Sequence, residues 1–166
     1  QCVDFSVEDK RQIALALDGL GIDYVEGGWP GANPIDTAFF SERPALKRAR
    51  FTAFGMTKRA GRSAANDPSL APVLDSKADA ICLVGKTSSY QVKVALEISP
   101  EENLDNIARS MEAILERKRE PLFDAEHFFD GYKADPDYAL ACIRTAHEAG
   151  ARWLVLCDTN GGTMPE

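Results

Sequence analysis

The chain is 166 residues long, 45% hydrophobic and 27% charged, with a formal net charge of −7. That length and apolar share can bury one sizeable core and point to one domain, while the interspersed acids and bases argue against a phosphate-backbone-binding surface and so against nucleic acid as a partner. No apolar run approaches the ~20 residues of a membrane span, and no charged segment followed by an apolar run opens the chain, so no membrane partner is expected and the expected location is the cytoplasm.

Ser6 with Asp9 three residues on predicts a helix N-cap, and Ile13, Ala14, Leu17 and Leu20 follow at helical spacing until Gly21. Ile22 to Glu26 predicts a short strand running into Gly27-Gly28-Trp29-Pro30-Gly31, where small residues let backbone approach closely. Asn33, Pro34 and Asp36 start a helix that carries Ala38, Phe39 and Phe40 and is closed by Pro44. Ala49 to Phe54 is the next strand, ending at Gly55-Met56-Thr57, and Asp67-Pro68 starts a further helix. Ala80 to Val84 is a continuous apolar strand that stops at Gly85-Lys86. Ser88 to Ile98 predicts a helix, and Ser99-Pro100-Glu101-Glu102 caps a longer one with Leu104, Ile107, Met111, Ile114 and Leu115 on one face. Pro121, Leu122 and Phe123 form a strand that gives out in Asp124-Ala125-Glu126-His127-Phe128-Phe129-Asp130. Asp135-Pro136 caps a helix running to about Glu148 and stopped by Gly150. Trp153 to Cys157 is the last strand, ending at Asp158-Thr159-Asn160-Gly161-Gly162. Cys2, Cys82, Cys142 and Cys157 have no zinc or redox spacing and are expected to be free thiols, Cys82 and Cys157 inside buried strands.

Strands starting near Asp23, Arg50, Ala80, Glu120 and Arg152 recur at intervals of 27, 30, 40 and 32 residues, the period of βα units. A five-stranded doubly wound sheet and part of an eight-stranded barrel both have this period. The doubly wound fold normally opens with a central strand, whereas this chain opens on a helix and stops just after a strand. Since a whole barrel takes typically ~250 residues, the expected fold is a partial (β/α)8 TIM barrel, strands two to six with their helices.

In such barrels the reacting groups come from the C-terminal strand ends. Here those ends carry Glu26, Met56-Thr57, Lys86, Asp124 with Glu126, and Asp158 with Thr159. Carboxylates at three of five ends exceed what a core asks for, because an unpaired buried carboxylate is costly. Several acids without a Gly-rich phosphate loop suggest divalent-metal or acid/base chemistry on a carbonyl substrate. No His-x-His or His-Glu-x-x-His occurs; His127 and His147 are 20 residues apart, and His147 reads as a surface or packing residue. Gly161-Gly162 leaves amides free for an anion or, more simply, makes a turn.

Three stretches resemble citramalate synthases: Tyr24 to Gly31 with Asn33-Pro34 and Asp36, then Asp124 to Lys133, and then Cys157 to Thr163, like the second-, fifth- and sixth-strand motifs of those enzymes. The resemblance implies a metal-assisted Claisen condensation of acetyl-CoA with pyruvate to citramalate and CoA, feeding isoleucine synthesis. It implies a divalent metal (Zn, Mg or Mn) that polarises the keto carbonyl, and a homodimer for the full-length enzyme. By position, Glu126 matches the glutamate near the reacting centre, Glu26 the second-strand acid of the site, and Thr159 the hydroxyl that holds the keto acid's carboxylate. His127 and Asp124 flank Glu126 without an assigned role.

The same resemblance places the metal ligands elsewhere, in a Leu-Arg-Asp-Gly-type first-strand motif and a seventh-strand His-x-His that this sequence lacks. Residues 1–166 are therefore expected to be part of the catalytic (pyruvate carboxyltransferase-type) barrel domain, an internal segment without the first strand, the last two strands or the regulatory domain. Alone, it is expected to be catalytically silent. Two other readings stand beside it. One is a 2-isopropylmalate or homocitrate synthase or a related barrel lyase. The other is a non-catalytic flavodoxin-like α/β module, which a reversal of strand order at a switch point would mark. An open half-barrel leaves two unpaired strand edges, so the isolated chain is expected to self-associate.

Overall fold

The structure, a computed structural model, describes residues 4–164, so Cys2 lies outside it. Five strands form one parallel sheet: β1 (Tyr24–Gly28), β2 (Arg50–Met56), β3 (Ala80–Lys86), β4 (Glu120–Glu126) and β5 (Trp153–Leu156). Their order is sequential, β1-β2-β3-β4-β5, with every pair parallel and no reversal. A doubly wound module would show a switch point, so that alternative falls.

The helices are α1 (Val7–Gly19), α2 (Pro34–Phe39), α3 (Ala71–Leu74), α4 (Ser89–Gln91), α5 (Pro100–Glu116), α6 (Phe128–Ala134) and α7 (Pro136–Glu148), with a 3₁₀ turn at Ala64–Asn66. Side-chain caps start α1, α2, α5 and α7 as the sequence implies. Ser6 and Asp9 form a reciprocal capping box, Ser99 Oγ accepts from the Glu102 amide at 3.1 Å, and Asp135 accepts from that of Tyr138 at 3.2 Å.

Parallel partners in register share a face of the sheet. On the outer face Phe51, Ala53, Ile81, Leu83, Phe123 and Ala125 are completely buried against the helices, above all Ile107, Met111 and Ile114 of α5 and Ala139, Cys142 and Ala146 of α7. The inner face has a smaller core of Ala80, Cys82 and Leu122, with Tyr24 against it. There the Tyr24 hydroxyl donates to Glu120 and accepts from Trp153 Nε1 at 2.8 Å, and Arg50 pairs with Glu120 at 3.1 Å. Tyr24 and Trp153 belong to the two edge strands, so the sheet is curled into a barrel wall with a concave inner face.

Several boundaries differ from expectation. The helix expected over Ser88–Ile98 starts at Ser89, widens into a π-helical turn over Val92–Leu96 and ends where Glu97 turns left-handed at φ +56°. The second helix ends at Phe39, well before Pro44. Asp67 does not open a helix directly; its carboxylate collects the amides of Arg59, Ser69 and Leu70, and α3 begins only at Ala71. On α1, Ala14 is buried but Ile13 and Leu20 are exposed; the other buried residue is Asp18, which caps the amides of Lys47, Arg48 and Ala49 ahead of β2. Cys157 falls just beyond β5 and is only partly buried. Cys82, Cys142 and Cys157 are free thiols, and burial pushes Cys142 up to about 12 and Cys157 up to about 11. No helix among the described residues is long and apolar enough to cross a membrane.

Candidate functional site

The C-terminal end of β4 is held from two sides. The Glu126 carbonyl accepts from the Thr87 amide at 3.0 Å and from Thr87 Oγ1 at 2.7 Å, and its side-chain Oε2 lies 2.6 Å from Lys86 Nζ. His127 then takes a left-handed φ of +57° and turns the chain straight into α6. That helix seats on the turn after β3 because Gly131 has no side chain. A Cβ there would lie 2.5 Å from the Thr87 carbonyl oxygen and 2.9 Å from Ser88 Cα. The Asp-Ala-Glu-His-Phe-Phe-Asp-Gly stretch thus combines a charged strand end with the glycine that lets its neighbours close on it.

The segment after β5 docks on the same turn. Thr159 Oγ1 accepts from the His127 amide at 2.8 Å, which leaves its own hydroxyl proton free to donate. Asn160 Nδ2 donates to Asp130 Oδ2 at 2.5 Å, and Lys133 Nζ to Thr163 Oγ1 at 3.0 Å. Asp158 accepts from the amides of Gly162 at 3.3 Å and Thr163 at 2.9 Å, closing a turn in which Gly161 has φ +67°. The glycine pair therefore serves a turn whose amides the chain itself uses. Thr159 is thus tied to the residue that follows Glu126.

Glu26 is set apart from them, on β1 beside Thr52, with the charge of Asp124 acting on it. Partial burial against the inner face and then the Asp124 charge raise its carboxyl above the usual range, although solvent reaches it through the open side of the wall. Among the described residues neither Glu26 nor Asp124 forms a salt bridge, and Asp124 acts on Glu26 as a like charge. Among the described residues, no three His, Cys, Asp or Glu side chains come close enough to enclose a metal ion. The residues present do not fit a divalent metal.

A cavity of about 370 Å³ opens beside Glu126, between the ends of β2 and β3 and the start of α5; Trp29, Lys58, Arg59, Lys86, Asn106 and Glu126 line part of it. Lys58 is 8% exposed, with its ammonium on Asn106 Oδ1 and 3.4 Å from Asp105 Oδ2. In the sequence, Lys58 and Arg59 had no signal beyond two consecutive cations immediately after the second strand end at Thr57. The loop after β1 proves to be a folded unit around Asp36. Its carboxylate accepts from the Trp29 amide at 3.0 Å, from Asn33 Nδ2 at 3.0 Å and from Lys10. Gly28, at φ +126°, is where a Cβ would strike that carboxylate.

Residues 1–166 match the HMGL-like family model. The (R)-citramalate synthase of Geobacter sulfurreducens is 48% identical over 165 residues, which cover 98% of this chain and 31% of that protein. That of Aquifex aeolicus is 46% identical with the same coverages. A 2-isopropylmalate synthase of Lactococcus lactis subsp. cremoris is 29% identical over 164 residues, 99% of this chain and 31% of that protein. The chain thus spans about a third of the length of these relatives. Among solved structures, hydroxymethylglutaryl-CoA lyase from Pseudomonas aeruginosa superposes with a TM-score of 0.72 at 19% identity, over 99% of this chain and 55% of that one. That likeness is one of fold: the five strands are a partial (β/α)8 barrel.

Proposed function

Because the chain belongs to the HMGL-like family, we propose that it forms strands two to six of a citramalate synthase barrel, condensing acetyl-CoA with pyruvate to citramalate and CoA. The observation that carries this reading is Glu126 lining a cavity, with Thr159 bonded to the backbone amide of the next residue, His127. In the proposed reaction the Glu126 carboxylate takes a proton from the acetyl methyl group. The enolate carbon then bonds to the keto carbon of pyruvate, whose C=O π bond opens to an alkoxide that takes up a proton from water, and a second water cleaves the thioester to give citramalate and CoA. Thr159, already accepting from His127, donates its hydroxyl proton to the keto acid's carboxylate. Glu26, which does not line that cavity, is assigned to the substrate side of the barrel only by its place at the end of β1.

A divalent metal, when bound, would polarise the keto carbonyl as a Lewis acid. The described residues do not enclose one, so the proposal assigns its ligands to other residues and routes no step of this chain through it. A place in isoleucine synthesis, a cytoplasmic location and a homodimeric full-length enzyme belong to the same proposal. Pyruvate is favoured over 2-oxoisovalerate as the keto acid by 48% identity to a citramalate synthase against 29% to an isopropylmalate synthase.

The test is a chimera in which this chain replaces the matching segment of a citramalate synthase. Its CoA release from acetyl-CoA is measured with pyruvate and with 2-oxoisovalerate. Turnover with pyruvate at least ~10-fold above that with the larger keto acid is the expected result, since pocket fit discriminates small apolar groups by about that much. A folded chimera that prefers 2-oxoisovalerate, or releases no CoA with either, overturns the proposal.

A further inference from the structure

We infer that Lys86 is a positioning residue for Glu126, its ammonium holding that carboxylate aimed into the cavity. The inference rests on the proposed role of Glu126 as the base. Lys86 and Glu126 are register partners at the ends of neighbouring parallel strands, so their side chains leave the same face side by side. Nζ and Oε2 are 2.6 Å apart, with the side chains only 16% and 26% exposed. A fully exposed pair of this kind holds nothing in place, but a charge-assisted bond screened this little fixes a geometry.

Both backbones are fixed independently of the pair. The Lys86 carbonyl accepts from Asn103 Nδ2 at 2.9 Å, and Asn103, 1% exposed, is itself held by Tyr138 at 2.9 Å. Thr87 holds the Glu126 carbonyl twice. What remains free in Glu126 is side-chain rotation, and among the described residues Lys86 is the only side chain bound to its carboxylate. The cation takes Oε2 and leaves Oε1 to receive a proton. Among the described residues the strand-end carboxylates Glu26 and Asp124 form no salt bridge, so the lysine pair sits at Glu126, the strand-end carboxylate that lines the cavity. A base displaced by ~1 Å loses on the order of 10²-fold in rate, which is the effect expected here.

Lys86→Met, Lys86→Arg and Glu126→Gln in the chimera test this, with CoA release followed using ordinary and methyl-deuterated acetyl-CoA. In Lys86→Met, kcat is expected to fall ~10²-fold with KM for both substrates nearly unchanged and a larger isotope effect, because proton transfer becomes more limiting. Lys86→Arg, which restores a cation, recovers most of the loss. A kcat that survives Lys86→Met, or a loss shared by Lys86→Arg with the isotope effect unchanged, overturns the inference. Glu126→Gln separates the two levels. Wild-type rates in that variant sink the proposed role of Glu126 itself, whereas a silent Glu126→Gln beside an unaffected Lys86→Met sinks only the inference. A measurement on this chain alone covers the case of a variant that does not fold. Acetic anhydride should label Lys86 several-fold faster in Glu126→Gln than in the wild type, and equal rates overturn the pair.

Discussion

Gly131→Ala sets two opposing effects against each other at the candidate site. In a helix interior the exchange is favourable by about 0.8–1 kcal/mol from propensity alone. The added methyl, however, would stand 2.5 Å from the Thr87 carbonyl oxygen and 2.9 Å from Ser88 Cα, and both are backbone atoms. A side chain at the wall could swing aside, but backbone held by Thr87 on Glu126 has to move with the strand end. Overpacking of this kind costs typically 1–3 kcal/mol, and a clash with fixed backbone belongs at the upper end. The net expectation is a loss of about 2 kcal/mol, roughly a 30-fold shift in the folding equilibrium. Urea denaturation of the chain, comparing midpoints at an unchanged slope, measures it. A midpoint equal to or above the wild type's would show that α6 does not seat on the turn after β3 and would undo the geometry around Glu126.

Phe51 is completely buried, stacked on Phe40 at 4.4 Å and edge-on to Phe39 at 5.1 Å, so Phe51→Ala should cost about 3–5 kcal/mol in the same denaturation assay. Burial opposes ionisation of Asp67, but the amides of Arg59, Ser69 and Leu70 outweigh it; for Asp79, Arg43 and the Phe51 amide do the same. Both carboxyls are therefore held below the usual range in the folded chain. They add stability that is complete above their unfolded values near pH 4 and is lost as pH falls further, which an acid titration of the melting temperature should show. The Glu26 carboxyl is raised by burial and by Asp124, so its ionisation opposes folding as pH rises above that same region. Glu26→Gln should accordingly raise the melting temperature at pH 7 and leave it unchanged below about pH 4. Trp153, Val155 and Leu156 on the β5 edge, Ile13 and Leu15 on α1 and Leu20 just after it are exposed, so light scattering should find the isolated chain self-associated rather than as a sharp monomer.

The later strands were legible in the sequence because β3, β4 and β5 carry the apolar runs Ala80–Val84, Pro121–Phe123 and Trp153–Leu156, and the helix starts because Ser6, Asn33, Ser99 and Asp135 cap them locally. Local chemistry is also why Asp67 was misplaced: Asp-Pro looks like a helix start, yet its carboxylate reaches back to Arg59. Asp18 was invisible because the amides it caps lie about 30 residues on. The π-helical turn before Glu97 answers to tertiary packing and left no pattern. Glu126 and Thr159 were legible as strand-end residues, and the structure joins them through one backbone amide. The tie of Glu126 to Lys86 was not, since it depends on the register of β3 against β4, and a slip of one residue would have turned Lys86 to the other face.

The most direct measurement compares the wild-type chimera with Glu126→Gln for CoA release from acetyl-CoA and pyruvate at saturating substrate. The account predicts a rate lower by on the order of 10²–10⁴-fold in a variant that melts like the wild type, the loss expected when a positioned general base is removed. A Glu126→Gln chimera that turns over within about twofold of the wild type would contradict it, because proton abstraction would then belong to another group.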